Sequence, residues 1–214
     1  MNESRYTEKD LKLLDILSSF TSATIYEALG QTGAFSSVIK PIDPSSKACG
    51  FAYTVQGKPA DNLALHHAIY RAQSCEVIVA SVRGYTESGY WGDVMTCAAR
   101  CRGLRGLIFD GAVRDTAEII SSGFPVFCQG TCIKCTEKSY PGAYGVPIVV
   151  GGVRVEPGDL IFGDRDGVVV VPRARLEEIV PLVTARIEKE AVIEERLKKG
   201  ESTIDIYHLM KTDS

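Results

Sequence analysis

No stretch of about 18 consecutive apolar residues occurs in this chain, so nothing in it can cross a bilayer as a single helix. Met1 to Asp10 is polar and charged and lacks the apolar centre of an export signal. Together these absences set the expectation of a soluble, cytoplasmic protein with no membrane partner. A basic stripe is missing as well. The chain has 24 Lys and Arg against 27 Asp and Glu, a formal net charge of −3 with a pI near 5.7. No phosphate-tracking surface and no nucleic-acid partner are therefore expected. Gly84, Gly89 and Gly92 do not follow the G-x-G-x-x-G spacing and no Lys-Ser/Thr ending completes a phosphate loop. No glycine-rich adenosylmethionine loop follows an early strand, which leaves methyl transfer without physical support. Linkers, low-complexity tracts and internal repeats are also missing.

Cysteine is present but unpaired in pattern. Seven thiols, an odd number, in a chain without an export signal read as reduced groups rather than a disulfide frame. The densest set is Cys128, Cys132 and Cys135. A structural zinc site would need a fourth ligand, and no second C-x-x-C and no H-x-x-x-H occur. Ordinary core or incidental thiols are the favoured reading over zinc or redox chemistry.

What is present is a 214-residue chain with 45% hydrophobic content, enough to bury a sizeable core. It reads as a single domain over residues 1–214, with N-terminal helices in 1–30 and a C-terminal helical segment in 174–199. Thr7 to Leu17 and the run from Ser22 to Gly30 have helical spacing, and Gln31 to Ser46 is turn-rich. Cys49 to Val55 is a strand candidate. Asp61 can cap a helix bearing Leu63, Leu65, Ala68, Ile69 and Ala72, and that helix carries His66 and His67. Adjacent histidines point about 100° apart on a helix, so one packed and one solvated ring is expected rather than a chelating pair.

Val77 to Ala80 is wholly apolar, the mark of a strand buried on both faces. After a glycine- and aromatic-rich loop from Arg83 to Trp91 come a small-residue helix from Gly92 to Gly103 and a strand from Gly106 to Asp110. A helix from Thr116 to Gly123 and a strand from Phe124 to Cys128 follow. The alternation predicts α/β units with a parallel sheet. From Val146 to Val171 four short strands with close turns predict a β-rich layer. Ala174 to Lys199 reads as a charged helix that Pro181 should kink or divide, and its length makes subunit contact an expectation.

The chemistry concentrates between Trp91 and Asp115. Arg114 and Asp115 follow a buried strand and precede a helix, the place where open α/β sheets put ligands. A carboxylate there can hold a hard cation, with magnesium or manganese suited better than zinc. Arg114 offers a fixed fork for a carboxylate or oxyanion. The amides at the Gly92 to Met95 helix start favour an anion. These parts describe a site for a small carboxylate whose keto oxygen also meets a cation. Asp164-Arg-Asp166-Gly reads as a tight structural turn, and Trp91 as a wall of the loop rather than a cofactor platform.

Trp91-Gly-Asp93, the twenty-residue gap, Gly111-Ala-Val-Arg-Asp115, Gly151-Gly-Val, Pro157-Gly-Asp159 and Gly163-Asp-Arg-Asp-Gly through Pro172 resemble the 4-hydroxy-4-methyl-2-oxoglutarate aldolase family. The regulator of ribonuclease E activity A belongs to the same superfamily. The resemblance covers roughly residues 22 to 199. It implies an α/β sandwich like the swivelling phosphohistidine domain, in homotrimers or homohexamers with sites at subunit interfaces. It further implies a magnesium- or manganese-dependent, class II pyruvate aldolase acting on a small 2-oxo acid, with oxaloacetate decarboxylation as a side activity. Asp115 would bind the metal directly and Asp93 through a water. Arg114 would contact the pyruvyl oxygen, and the amides of Gly92, Asp93, Val94 and Met95 the carboxylate. Two departures stand out: Thr131-Cys-Ile-Lys-Cys135 replaces a Thr-Ser-Pro-like segment, and Glu27-Ala-Leu an Asp-Ala-Leu. A glutamate from a neighbour's C-terminal helix completes some family sites, with Glu190 or Glu194 as candidates here. The contrasting implication is a non-catalytic regulator that binds a ribonuclease.

Overall fold

A computed structural model describes residues 4–210. The chain begins with α1 (Glu8–Leu17), whose N-cap Thr7 forms a reciprocal capping box with Asp10, and α2 (Ser22–Ala28), capped by Thr21. The turn-rich stretch contains the two-residue β1 (Lys40–Pro41) and leads into β2 (Ala48–Gln56), α3 (Leu63–Arg71) and β3 (Glu76–Ser81). Next come β4 (Gly89–Trp91), α4 (Asp93–Cys101), β5 (Leu107–Phe109), β6 (Ala112–Val113), α5 (Thr116–Ser122), β7 (Val126–Cys128) and β8 (Gly130–Thr131). The last third holds β9 (Ala143–Tyr144), β10 (Ile148–Val150), β11 (Val153–Val155), β12 (Leu160–Gly163), β13 (Val168–Val171), α6 (Leu176–Lys198) and α7 (Thr203–Ile206).

The main sheet runs β1-β7-β5-β3-β2-β12-β13, with β9 also on β2. Strands β2, β3, β5 and β7 are parallel, as the alternation of strands and helices predicts, and β12 and β13 extend the sheet antiparallel. The four strands expected as one β-rich layer are divided between two sheets. β12 pairs with β2 through Leu160↔Phe51, which places it in the same sheet, and only the β10-β11 hairpin stands apart. Alternation along the strands then sorts the core. Ile78 and Ala80 face a cluster shared with α3, α4 and α5, while Val77 and Val79 face the hairpin residues Ile148 and Val150. A third cluster joins Leu14, Leu17 and Ile25 to Phe162, Val171 and the buried residues of α6. The result is a mixed α/β fold, helices on one face of a curled sheet and a hairpin on the other.

The curl positions the site. Past their C-terminal ends, three parallel strands of the main sheet give way to a second, smaller sheet, β4-β6-β8. The break between β5 and β6 falls at Asp110 and Gly111, where a Cβ on Gly111 would meet Phe109 Cζ and Val82 Cγ2 closer than 3.0 Å. The buried Asp110 carboxylate clasps the break by accepting from Ser81 Oγ at 2.7 Å and Val82 N at 2.6 Å. Burial pushes its pKa up against these bonds.

Pro181 does not divide α6, which is continuous from Leu176 to Lys198. Its first half is anchored by buried Leu176, Ile179 and Val183, whereas Ile187 and Val192 on the second half are exposed. Glu27 pairs there with Arg186. Asp164 serves as the structural turn expected of it, accepting from Ser22 N at 2.8 Å and Ser22 Oγ at 2.6 Å, which ties α2 to the β12-β13 turn.

Candidate active site

Each strand of the small sheet delivers one part of the site at its C-terminal end. β4 hands over to Gly92 and Asp93, β6 to Arg114 and Asp115, and β8 to Cys132. Backbone bonds hold these exits side by side: Arg114 N donates to Trp91 O at 2.8 Å and Cys132 N to Val113 O at 2.9 Å. The twenty-residue gap between Asp93 and Arg114 is thus one helix and one bent strand, long enough to return the chain to the neighbouring exit.

Glycine is required at two of these positions by close approach. A Cβ on Gly92 would collide with Asp115 Oδ2, and one on Gly89 with the Cys132 carbonyl. Asp115 itself adopts left-handed backbone angles, φ 54° and ψ 43°, a conformation that costs a non-glycine residue roughly 1–3 kcal/mol and is held by its surroundings. Its Oδ2 lies 3.3 Å from Asp93 N and 3.5 Å from Arg114 Nε. Asp93 Oδ1 in turn accepts from Val94 N at 2.7 Å. Two of the four amides at the start of α4 are therefore engaged by the site's own carboxylates, and no side chain caps the helix at Gly92. An incoming substrate carboxylate would take over these donors.

Trp91 is not a wall of the loop. It is fully buried, stacks on Phe124 at 6.3 Å, and its Nε1 donates to Thr96 Oγ1 at 2.8 Å. Thr96 Oγ1 donates to Gly92 O at 2.9 Å, so the indole bolts down the start of α4 from inside the core.

Gly92, Asp93, Val94, Met95, Arg114 and Asp115 share one cavity of about 290 Å³, so the six residues expected to bind substrate and metal meet at one place. The other walls are Asn62 and His66 from the start of α3, Tyr90, and Cys135, Thr136 and Lys138. Their sequence signals were the histidine pair, discounted as a chelator, and Cys135 of the cysteine segment, read as an ordinary thiol. A second hollow of about 560 Å³ lies on the far side of Arg114 and Asp115 and is walled by Thr131, Cys132 and Ile133. The departure from Thr-Ser-Pro thus shapes both sides of the site. Cys128 does not join it: buried, its thiol pushed up to about 11 by burial, it lies 3.3 Å from the Gly130 carbonyl. A roomier groove of about 790 Å³ around Arg83, Asp110 and Arg154 has no comparable cradle of helix amides. Glu190 and Glu194 pair with Arg186 and Lys198 on α6, and neither lines the cavity of its own chain.

Among the described residues no group of three or more His, Cys, Asp or Glu gathers as a ready-made metal cage. Two carboxylates, one beside the space left by the missing Cβ of Gly92, suit a hard cation that keeps most of its waters. The donor set fits magnesium or manganese in that manner.

Residues 22–170 match the RraA-like family, described as Aldolase/RraA. A Halalkalibacterium halodurans protein provisionally named 4-hydroxy-4-methyl-2-oxoglutarate aldolase is 37% identical over 170 residues, covering 78% of this chain and 81% of that one. A solved structure of an uncharacterized Pseudomonas syringae pv. tomato protein superposes with a TM-score of 0.82 at 31% identity, covering 94% of this chain and 95% of that one. Streptomyces coelicolor RraAS2, described as an unusual member of the RNase ES inhibitor RraA family, gives a TM-score of 0.75 at 31% identity, covering 90% of this chain and 98% of that one.

Proposed function

The chain belongs to the RraA-like, Aldolase/RraA family, and on that premise we propose that it is a lyase cleaving a 4-hydroxy-2-oxo acid to pyruvate and a second carbonyl compound. The reading includes oxaloacetate decarboxylation as a side activity, a magnesium or manganese cofactor, a homotrimer or homohexamer, and a cytoplasmic setting. One observation carries it: helix-start amides, a guanidinium and two carboxylates converge on a single small cavity.

The first turn of α4 receives the substrate's C1 carboxylate, which the amide dipoles and the helix field favour. That contact aligns the C2 oxygen with Arg114. Both reactions move electrons onto C2–C3 and leave an enolate oxygen, so a guanidinium already in place stabilises the developing charge more than the ground-state ketone. Asp115 directly and Asp93 through a water would hold the cation, which when bound supplies a second positive charge to the same oxygen. The left-handed backbone of Asp115 and its contact with Gly92 keep that carboxylate in place before substrate arrives.

The test is a coupled pyruvate assay over a panel of 4-hydroxy-2-oxo acids and oxaloacetate. Pyruvate release should need added magnesium or manganese, stop in EDTA, and collapse in Arg114→Ala and Asp115→Ala. Full activity in EDTA would overturn the metal-dependent reading. The likeness to Streptomyces coelicolor RraAS2, from an RNase ES inhibitor family, supports a second reading, a non-catalytic partner of a ribonuclease. That reading expects a stable complex with a ribonuclease and no turnover on any 2-oxo acid.

A further inference from the structure

We propose that the His66 imidazole is the proton acceptor for the C4 hydroxyl of the substrate during aldol cleavage. The inference rests on the lyase reading and adds a group to it. Cleavage requires the hydroxyl proton to leave as the C3–C4 bond breaks, and the lyase reading already commits Asp93, Asp115 and Arg114 to the cation and the enolate. Of the remaining side chains that line the cavity, Asn62, Tyr90, Thr136, Cys135 and Lys138 are poor bases in their protonated or neutral forms. His66 is the one whose neutral form readily accepts a proton.

Its placement is built rather than incidental. Asn62 Nδ2 donates to Tyr90 O at 2.8 Å, which fastens the start of α3 to β4, the strand that leads into Gly92. Asp61 accepts from Leu63 N at 3.0 Å, Ser139 N at 2.7 Å and Tyr140 N at 3.0 Å, locking the same turn to the segment that carries Cys135, Thr136 and Lys138. His66 N donates to Asn62 O at 3.2 Å, so the imidazole sits one turn from that anchor. His67 turns away and meets the edge of Tyr144 at 6.5 Å. His66 lines the cavity beside Asn62, whose buried Oδ1 has no hydrogen-bond partner among the described residues. Burial first, then the charges of Lys138 and His67, hold the imidazole below its ordinary pKa and keep it neutral near pH 7. The other charged groups that line the cavity are Asp93, Asp115 and Arg114.

In the step itself a ring nitrogen of His66 takes the hydroxyl proton and the C4–O bond becomes a carbonyl. The C3–C4 electron pair moves into C2=C3, and the C2 oxygen takes up the negative charge. Solvent then protonates C3 to give pyruvate, and the imidazolium returns its proton to solvent.

Oxaloacetate has no hydroxyl proton to lose, and that separates the roles. In His66→Gln and His66→Asn, kcat for cleavage of a 4-hydroxy-2-oxo acid should fall by about 10²- to 10⁴-fold, the usual worth of a general base. Oxaloacetate decarboxylation should stay within about threefold of the parent, since an interaction used only in cleavage is lost only from cleavage. The acid limb of the parent's cleavage profile, where rate falls as His66 protonates, should vanish in both variants. Equal loss of the two activities, or cleavage surviving within about threefold, overturns the assignment. A parent enzyme inactive on both substrates would instead refute the lyase reading on which it stands.

Discussion

Gly92→Ala isolates the position of one carboxylate. Gly92 has extended backbone angles, φ −144° and ψ −165°, which alanine adopts without strain. The cost is therefore confined to the new methyl group. It would lie closer than 3.0 Å to Asp115 Oδ2, 3.3 Å from Asp115 Cγ and 3.4 Å from Arg114 Cγ. Asp115 must swing aside by several tenths of an ångström to about 1 Å, and displacement on that scale costs about 10²-fold in rate when a reacting or charge-bearing group is involved. Stability should change far less. Alanine restricts the unfolded chain, worth about 0.4–1 kcal/mol, against roughly 1–3 kcal/mol of local overpacking, for a net loss of about 0–2.6 kcal/mol. The assay pairs coupled pyruvate release with thermal melting. A variant that melts within a few degrees of the parent and loses about 100-fold in kcat fits the reasoning. Parent-like turnover would show that the site does not depend on where Asp115 Oδ2 sits.

Asp61 provides a stability test at the opposite wall. Burial raises its pKa, but the hydrogen bonds from Leu63, Ser139 and Tyr140 outweigh burial and leave it at about 2. A depressed carboxylate stabilises the fold above its unfolded pKa and loses that contribution as pH falls through the folded value. Asp61→Asn should therefore cost about 2 kcal/mol at pH 7 in denaturant melts, and its deficit should shrink between about pH 4 and pH 2. Parallel stability curves across that range would contradict this. Thiol labelling reads the cysteine segment: Cys135 is exposed and lines the cavity, whereas burial raises the Cys128 thiol to about 11. An alkylating reagent at about pH 8, near the ordinary thiol pKa, followed by peptide mass mapping, should modify Cys135 early and be slowed there by pyruvate. Cys128 should remain unmodified until the protein unfolds, and early labelling of it would refute the burial argument.

Much of the architecture was legible because it depends on local pattern. The apolar run at Val77 to Ala80 announced a strand covered on both faces, and β3 is buried throughout. Gly103 and Gly123 marked helix ends, and both have positive φ. The four strands after Val146 were found in place, but their partners were not. Strand pairing is a long-range choice, and nothing local tells Leu160 that its neighbour is Phe51. The short strands β4, β6 and β8 carried no usable period because two or three residues are too few for alternation to register.

The site divides along the same line. Asp93, Arg114, Asp115 and the glycines beside them could be read from the chain alone, since their spacing matches one helix plus one strand and their residue types state their chemistry. His66, Asn62 and the Cys135 to Lys138 wall could not. They come from segments far apart in sequence, and only the bolting of α3 onto β4 and of Asp61 onto Ser139 brings them to the cavity. The chemistry of each residue was written in the sequence. Which residues share a cavity was settled by the curl of the sheet, because the site sits where three strand ends bend into a second sheet and no single stretch of chain contains that geometry.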